Sequence, residues 1–281
     1  MKTSAFAERL IAGRWIAGPG IGDALRAAAI INNKGLEAEL NYLGEDFSDP
    51  VDVSKTVKVY ESLLTRIAAE KLKASIALKP TQLGMGISEE IARANYSKIV
   101  KAARKAGIFV WLDMESHDYV DRTISLYETE VLRGGVGICI QSYLRRSAED
   151  LKRLVRKRAV IRLVKGAYKE DSSIAFVSRE ERTKNYERLM RYLFSNSKRF
   201  MIATHDERLL DGAVLLSKNH HTELSFGMLK GIRNGYAEKL SKKGMNVVIY
   251  VPFGEMWLQY SYRRLREASN MFLVLRSLFE R

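Results

Sequence analysis

Short apolar runs alternate with longer segments of helical period along most of this chain. The longer segments repeat apolar positions every three or four residues, and the short runs are rich in β-branched residues. Several short runs are apolar throughout, which is typical of parallel strands covered on both faces. The predicted strands are 40–44, 74–79, 108–113, 136–141, 160–165, 200–204, 222–226 and 247–251.

Helices are predicted around these strands, two before the first strand and one after each. Their approximate ranges are 3–17, 22–33, 53–69, 88–105, 118–133, 147–157, 180–196, 206–218, 230–241 and 255–278. Eight strand–helix units after a helical preface predict a (β/α)₈ barrel, with an N-terminal helical segment over 1–38 and the barrel over 39–281. An open doubly wound sheet is the alternative, which the missing glycine-rich turn after the first strand disfavours.

Composition narrows the class of protein. The chain has 281 residues, is 46% hydrophobic and has 4 prolines, so it can bury a full core. The chain contains no run of about 18 apolar residues, so no membrane-spanning helix is predicted. Glu8 and Arg9 interrupt the apolar stretch that a signal peptide would need near the N-terminus. The single cysteine, Cys139, excludes an internal disulfide and a cysteine-rich metal site. These features predict a cytoplasmic protein without a metal.

The net charge of +14 indicates anionic partners. Its bases are spread over predicted helices, and the densest group, 153–158, lies in an amphipathic stretch. No nucleic-acid-binding motif accompanies the charge, so a nucleic acid partner is not expected. Anionic small molecules and an anionic membrane surface remain as candidate partners.

Polar residues cluster where the predicted strands end. Barrel enzymes carry their chemistry at the carboxyl ends of the strands, so this convergence indicates an active site there. The residues are Glu45, Lys79, Asp113, Glu115, Gln141, Arg162, Lys165, Gly166, Ala167, Tyr168, Thr204, His205, Leu229 and Tyr250.

The last predicted helix carries a second pattern. Tyr260, Arg263, Arg264 and Glu267 share one helical face, and two adjacent guanidinium groups suit a carboxylate. The alternative is a solvated ladder in which Glu267 pairs with Arg263.

These residues resemble the proline dehydrogenases, in their short monofunctional form. The matching strings are LGE (43–45), IALKPTQLG (76–84), WLDMES (111–116), GICIQSYLRRS (137–147), IRLVKGAY (161–168), IATH (202–205), MLKG (228–231) and IYVPFGEMWLQYSYRRLREASN (249–270). The resemblance implies a distorted (β/α)₈ barrel with FAD at the carboxyl ends of its strands and a C-terminal helix over the substrate.

The resemblance also implies an activity. It is the FAD-dependent oxidation of L-proline to Δ1-pyrroline-5-carboxylate, with electrons passed to a membrane quinone. We expect peripheral contact with anionic lipid at the cytoplasmic membrane face. We also expect a separate pyrroline-5-carboxylate dehydrogenase, because the length leaves no room for a fused one.

Residue roles follow from the same resemblance. Arg263, Arg264 and Lys79 would grip the proline carboxylate, Asp113 would hold this cluster and Glu267 would orient the arginines. Tyr168, Leu229, Tyr250 and Tyr260 would wall the ring, and Glu45 would gate the site by pairing with Arg263. Arg162 would lie beside the flavin N5, with further FAD contacts from Gln141, Lys165, Gly166, Ala167, Thr204 and His205. The predicted catalytic residues are Arg162, Asp113 and Tyr250.

Three positions depart from the family pattern. Lys169 replaces a usual aromatic residue, and Ser225 and Gly227 replace a usual Glu and Gln, all on the predicted cofactor side. Two other functions stay open. One is a Schiff-base lyase that uses Lys79 or Lys165, and the other is a basic membrane- or RNA-binding barrel without turnover.

Overall fold

The computed structural model describes residues 14–257, which contain a closed barrel of eight parallel strands in chain order. Each strand pairs with the next, and β8 closes the barrel by pairing with β1 from Glu37↔Val248 to Tyr42↔Phe253. The strands are β1 Glu37–Tyr42, β2 Ala74–Leu78, β3 Val110–Leu112, β4 Val136–Gln141, β5 Val160–Val164, β6 Arg199–Ala203, β7 Glu223–Leu229 and β8 Asn246–Phe253. The predicted fold class is confirmed.

Helices surround this barrel. They are α1 Ile21–Asn33, α2 Pro50–Ala69, α3 Glu89–Lys105, α4 Val120–Glu128, α5 Ser147–Arg156, α6 Arg179–Asn196, α7 Glu207–Ser217 and α8 Asn234–Lys242. Short 3₁₀ helices lie at Pro80–Leu83, His117–Tyr119 and Val131–Arg133. No helix within residues 14–257 is long and apolar enough to cross a membrane.

The first helix occupies an unusual place. α1 precedes β1 in the chain, yet it packs against both β1 and β8. The Ala17 amide donates to the Pro252 carbonyl at 2.9 Å and the Gly254 amide to the Gly18 carbonyl at 2.9 Å, which ties the chain before α1 to the end of β8. A regular repeat would cover this seam with a helix after β8. Here α1 packs over this seam instead, within residues 14–257.

Several element boundaries differ from the sequence predictions. The prediction of β1 at 40–44 was wrong by three residues at its start, and β7 continues to Leu229 beyond the predicted end at 226. The helix predicted at 118–133 is shorter, because 3₁₀ turns flank α4 on both sides. Most of the first and last predicted helices, 3–17 and 255–278, lies outside the described residues.

Tyr60 shows how the helices are fixed on the barrel. Asp49 caps α2 by accepting from the Val51 amide at 2.8 Å, and the buried Tyr60 follows three turns later. Its hydroxyl donates to the Ala77 carbonyl at 2.7 Å and accepts from the Tyr42 amide at 3.1 Å. One side chain therefore ties α2 to both β1 and β2.

The barrel interior changes character along its axis. Ala77, Trp111, Met201 and Val248 form an apolar cluster within it. Polar and charged side chains gather towards the carboxyl ends of the strands. The barrel interior thus combines an apolar cluster with a polar rim.

Candidate active site

Arg162 lies at the centre of the barrel lumen. Its neighbours on β5, Ile161 and Leu163, are fully buried against the helices, so strand alternation turns Arg162 inward. Its side chain is 5% exposed and makes ion pairs with Glu39 of β1 and with Asp113, which follows β3. Because β1 and β5 stand on opposite sides of an eight-stranded barrel, this guanidinium bridges the lumen.

Two aromatic rings flank this guanidinium. Its central carbon lies 5.1 Å from the Trp111 ring centroid and 5.8 Å from that of Tyr250. The Tyr250 hydroxyl donates to Asp113 Oδ2 at 2.9 Å. The three residues predicted as catalytic, Arg162, Asp113 and Tyr250, therefore form one connected group.

Lys79 follows β2 at the edge of this group. Its Nζ lies 3.5 Å from the Tyr168 hydroxyl and 3.5 Å from Glu45 Oε2. Burial would lower the pKa of Lys79, but attraction by Tyr168, Glu115 and Asp113 raises it above its ordinary value. The amine stays protonated at neutral pH, which disfavours Lys79 as a Schiff-base nucleophile.

Glu115 joins the loops that follow β2, β3 and β4. It accepts from the Thr81 amide at 2.9 Å and from the Thr81 hydroxyl at 2.7 Å. The Gln141 side-chain amide donates to the Glu115 carbonyl at 2.8 Å. Burial raises the pKa of the Glu115 carboxyl. Gln141, predicted as a cofactor contact, therefore also holds the rim together.

The rim after β5 presents small residues and a cation. Gly166 has a φ of +104°, and a Cβ there would lie 2.0 Å from Cδ1 of Tyr143, so only glycine fits. Ala167 beside it is exposed. Lys165 Nζ lies 2.7 Å from Asp206 Oδ2, and the Asp206 amide donates to the Thr204 hydroxyl at 3.2 Å.

His205 and Leu229 connect the ends of β6 and β7. The Leu229 amide donates to His205 Nε2 at 3.0 Å, so the neutral ring carries its proton on Nδ1. Leu229 packs against Trp15 and Ile232. The next residue, Lys230, donates to the Arg14 carbonyl at 2.8 Å, and burial lowers its pKa to about 8.

Comparison with known proteins identifies the family of this chain. The family model described as "Proline dehydrogenase" matches residues 24–273. Proline dehydrogenase 1 of Bacillus subtilis (strain 168) is 31% identical over 99% of this chain and 93% of its own length. Proline dehydrogenase of Deinococcus radiodurans is 32% identical over 92% of this chain and 86% of its own length.

The chain belongs to the proline dehydrogenase family. The expectation that it is an enzyme of that family is therefore confirmed. Its barrel is similar to proline utilization A (PutA) from Bdellovibrio bacteriovorus inactivated by N-propargylglycine, with a TM-score of 0.86 and 25% identity over 92% of this chain. PutA from Corynebacterium freiburgense gives a TM-score of 0.81 at 21% identity over 98% of this chain. The chain spans 33% of the length of each of these two structures.

The family resemblance did not point to Glu39. The predicted first strand began at residue 40, which left Glu39 just before it, whereas β1 includes Glu39 and buries it to 1% exposure. The signal was present, because Glu39 and Asn41 alternate with Ala38 and Leu40 in the period of a strand. Burial raises the pKa of Glu39 from 4.5 to about 7 although Arg162 opposes the shift.

The prediction that all three departures from the family pattern lie on the cofactor side was wrong for Ser225. Ser225 pairs in register with Asn246, the first residue of β8, so it lies towards the amino ends of the strands and away from the rim. A Cβ at Gly227 would lie 2.8 Å from Met201 Sδ, so Met201 occupies the space beside this glycine. Four predicted substrate contacts lie outside the described residues: Tyr260, Arg263, Arg264 and Glu267.

Proposed function

We propose that this protein oxidises L-proline to Δ1-pyrroline-5-carboxylate with bound FAD and passes the electrons to a membrane quinone. The observation that carries the proposal is the connected group of Arg162, Asp113 and Tyr250 beside the protonated Lys79. It combines fixed cations and a walled polar space at the rim of a proline dehydrogenase barrel. A carboxylate-bearing cyclic amine suits this chemistry.

The rim over β4 to β6 fits a flavin dinucleotide. Gly166 and the exposed Ala167 leave the end of β5 without large side chains, and Lys165 supplies a cation for a phosphate group. We assign cofactor contacts to Gln141, Arg162, Lys165, Gly166, Ala167, Thr204 and His205. A bound FAD would supply the two-electron acceptor, and the protein supplies binding and orientation.

Lys79 provides the described part of the substrate clamp. Its protonated amine would attract the proline carboxylate, and we assign Arg263 and Arg264 to the same anion. Glu45 lies 3.5 Å from Lys79 Nζ, so the carboxylate of a substrate and Glu45 would compete for one cation. This competition supports a gating role for Glu45, which opens the site when substrate replaces it.

Tyr250, Tyr168 and Leu229 would enclose the proline ring. Asp113 accepts from the Tyr250 hydroxyl at 2.9 Å and ion-pairs with Arg162, so it holds both groups in fixed positions. Fixed groups lower the entropy lost when the substrate is oriented for reaction. We also assign Tyr260 to this wall and Glu267 to the orientation of the arginines.

A spectrum tests the proposed function directly. The purified protein should be yellow, with flavin absorbance near about 450 nm that bleaches when proline is added. Proline-driven reduction of a dye should follow, while an acyclic amino acid should leave the spectrum unchanged. A protein that takes up no FAD and oxidises no proline would overturn the proposal.

Two variants separate the cofactor side from the substrate side. Arg162→Ala should slow the proline-driven bleaching of bound flavin, whereas Arg104→Ala, which removes a partly buried arginine outside the lumen, should not. Arg264→Met should raise the KM for proline about a hundredfold, as expected for a lost charge-assisted contact, and retain FAD. Release of FAD from Arg264→Met would show that the last helix contacts the cofactor instead.

The excess of basic residues supports docking on an anionic membrane that holds the quinone. The protein should sediment with anionic vesicles and not with neutral vesicles, and salt should release it. Equal binding to both kinds of vesicle would count against this part of the proposal.

A further inference from the structure

Glu39 carries a buried carboxyl group and is not among the residues proposed to contact the substrate or the cofactor. It lies within β1, is 1% exposed, and one of its oxygens ion-pairs with Arg162 across the lumen. Its other oxygen, Oε2, has no hydrogen-bond partner among the described residues. An ionised carboxylate with an unsatisfied oxygen in a closed lumen is costly, so the neutral form is favoured there.

The groups around Glu39 carry too little positive charge to balance the nearby carboxylates. Arg162 faces it from β5, Asp113 from the end of β3 and Tyr250 from β8, its register partner. Cys139 of β4 faces the same guanidinium, and Lys79 lies beyond Asp113. Arg162 is thus shared by two carboxylates. When both are ionised, the two carboxylates and the one guanidinium together carry a net charge of −1.

We propose that Glu39 is a positioning residue for Arg162 and that a proton on Glu39 decides how the guanidinium charge is divided between the barrel interior and the rim. This rests on the proposed function, in which Arg162 meets the flavin. With Glu39 ionised, the guanidinium is held between Glu39 and Asp113. With Glu39 protonated, the full positive charge of the Arg162 guanidinium is available to Asp113 and to the rim.

The burial of Glu39 sets the pH range of this effect. Burial raises its pKa to about 7, against the attraction of Arg162. At neutral pH, both forms of Glu39 are therefore populated. Because the flavin gains negative charge when it is reduced, a neutral Glu39 favours the reduced state more than an ionised Glu39 does.

Glu39→Gln and Glu130→Gln form a matched pair of variants. Glu130 is also a buried carboxylate, 3% exposed and paired with an arginine, but it lies outside the lumen. Each variant removes one buried ionisable group that pairs with an arginine. A general loss of stability would affect both, whereas a change in the charge on Arg162 would affect Glu39→Gln alone.

The first measurement needs no cofactor. Isotope-edited infrared spectra of the flavin-free protein should show a protonated carboxyl band that disappears around pH 7 in wild type and Glu130→Gln. Glu39→Gln should lack this band. A wild-type protein without a carboxyl band titrating between about pH 6 and 8 would overturn the proposal, even if Glu39→Gln failed to fold.

The second measurement is the midpoint potential of the bound flavin against pH. At pH 8 to 9, Glu39→Gln should favour the reduced flavin about tenfold more than wild type, or about 30 mV for a two-electron couple. The difference should vanish below about pH 6, where wild-type Glu39 is protonated. Glu39→Asp should keep a pH-dependent potential, and Glu130→Gln should match wild type.

These outcomes separate the two proposals. A difference that is the same at every pH, or one that Glu130→Gln shares, would make Glu39 a merely structural residue and overturn the inference. Failure to take up FAD would overturn the proposed function, while the infrared titration would still decide whether Glu39 holds a proton.

Discussion

Two arginine–glutamate ion pairs in this molecule each contain a buried carboxylate, but the surroundings of the two carboxylates differ. In the lumen, Glu39 has one charged partner, Arg162, which it shares with Asp113. Beside α3, Glu130 pairs with Arg104 at 2.6 Å and also accepts from the Ser97 hydroxyl at 2.8 Å. The first pair leaves a carboxylate oxygen without a partner, and the second does not.

The pKa values follow this difference. Burial alone would raise the pKa of Glu130, but hydrogen bonds from Arg104 and Ser97 lower it below its ordinary value. Burial raises the pKa of Glu39 to about 7, because the attraction of Arg162 offsets only part of the effect of burial. A fully satisfied pair fixes structure in one charge state. An under-satisfied pair keeps a protonation equilibrium at neutral pH, which suits a site that handles charge.

The largest expected effect is that of Arg162→Met. It leaves Glu39 and Asp113 buried without a cation, so the free energy of unfolding should fall by about 3–5 kcal/mol at pH 7. Arg104→Met should cost less, because Glu130 keeps its contacts with Ser97 and Arg133. Urea denaturation measures both losses. Equal losses in the two variants would contradict the claim that the two ion pairs have different surroundings.

The pH dependence of stability is the next largest effect. The folded-state pKa of Glu39 is raised from 4.5 to about 7, so the folded protein binds this proton more tightly than the unfolded chain. The contribution of Glu39 to the free energy of unfolding should therefore fall by about 3 kcal/mol as pH rises from about 4.5 to about 7. Denaturation curves of wild type and Glu39→Gln across this range should diverge. Parallel curves would show that Glu39 is ionised throughout.

Glu130 should show the opposite sign. Its folded-state pKa is lowered, so its contribution is present above the unfolded value and is lost as pH falls through the folded value. Glu130→Gln should lower the free energy of unfolding by about 1–3 kcal/mol at pH 7, because Arg104 loses its charged partner. The loss should shrink in acid. A loss that grows as pH falls would contradict this account.

The smallest expected effect concerns Lys165 and Asp206 at the rim. Lys165 is 36% exposed at its side chain, so Asp206→Asn should cost less than about 1 kcal/mol, and salt should reduce the loss. Asparagine can still cap α7, where Asp206 accepts from the Arg208 amide at 3.2 Å. Asp206→Ala, which also removes the cap, should cost about 1 kcal/mol more in thermal unfolding. Equal losses would show that the cap contributes nothing.

The site was predictable where its residues belong to continuous strings. The segment IRLVKGAY placed Arg162, Lys165 and Gly166 on one strand and its following turn, and β5 ends at Val164, one residue before the predicted end. Glu39 lies outside the matching strings and four residues before the motif that begins at Leu43. Its partner Arg162 is 123 residues away, so no local pattern could connect them.

The alternation of apolar runs and helical segments determined the number and order of the strands and the edge at which the polar side chains gather. These properties arise from neighbouring residues, since periodicity and turn chemistry act over a few positions. Only the tertiary structure decided that α1 covers the seam between β8 and β1 and that Glu45 pairs with Lys79. It also decided that Glu39 reaches Arg162 with one oxygen unsatisfied. Barrel closure brings these distant residues together, and burial there determines which charges they keep.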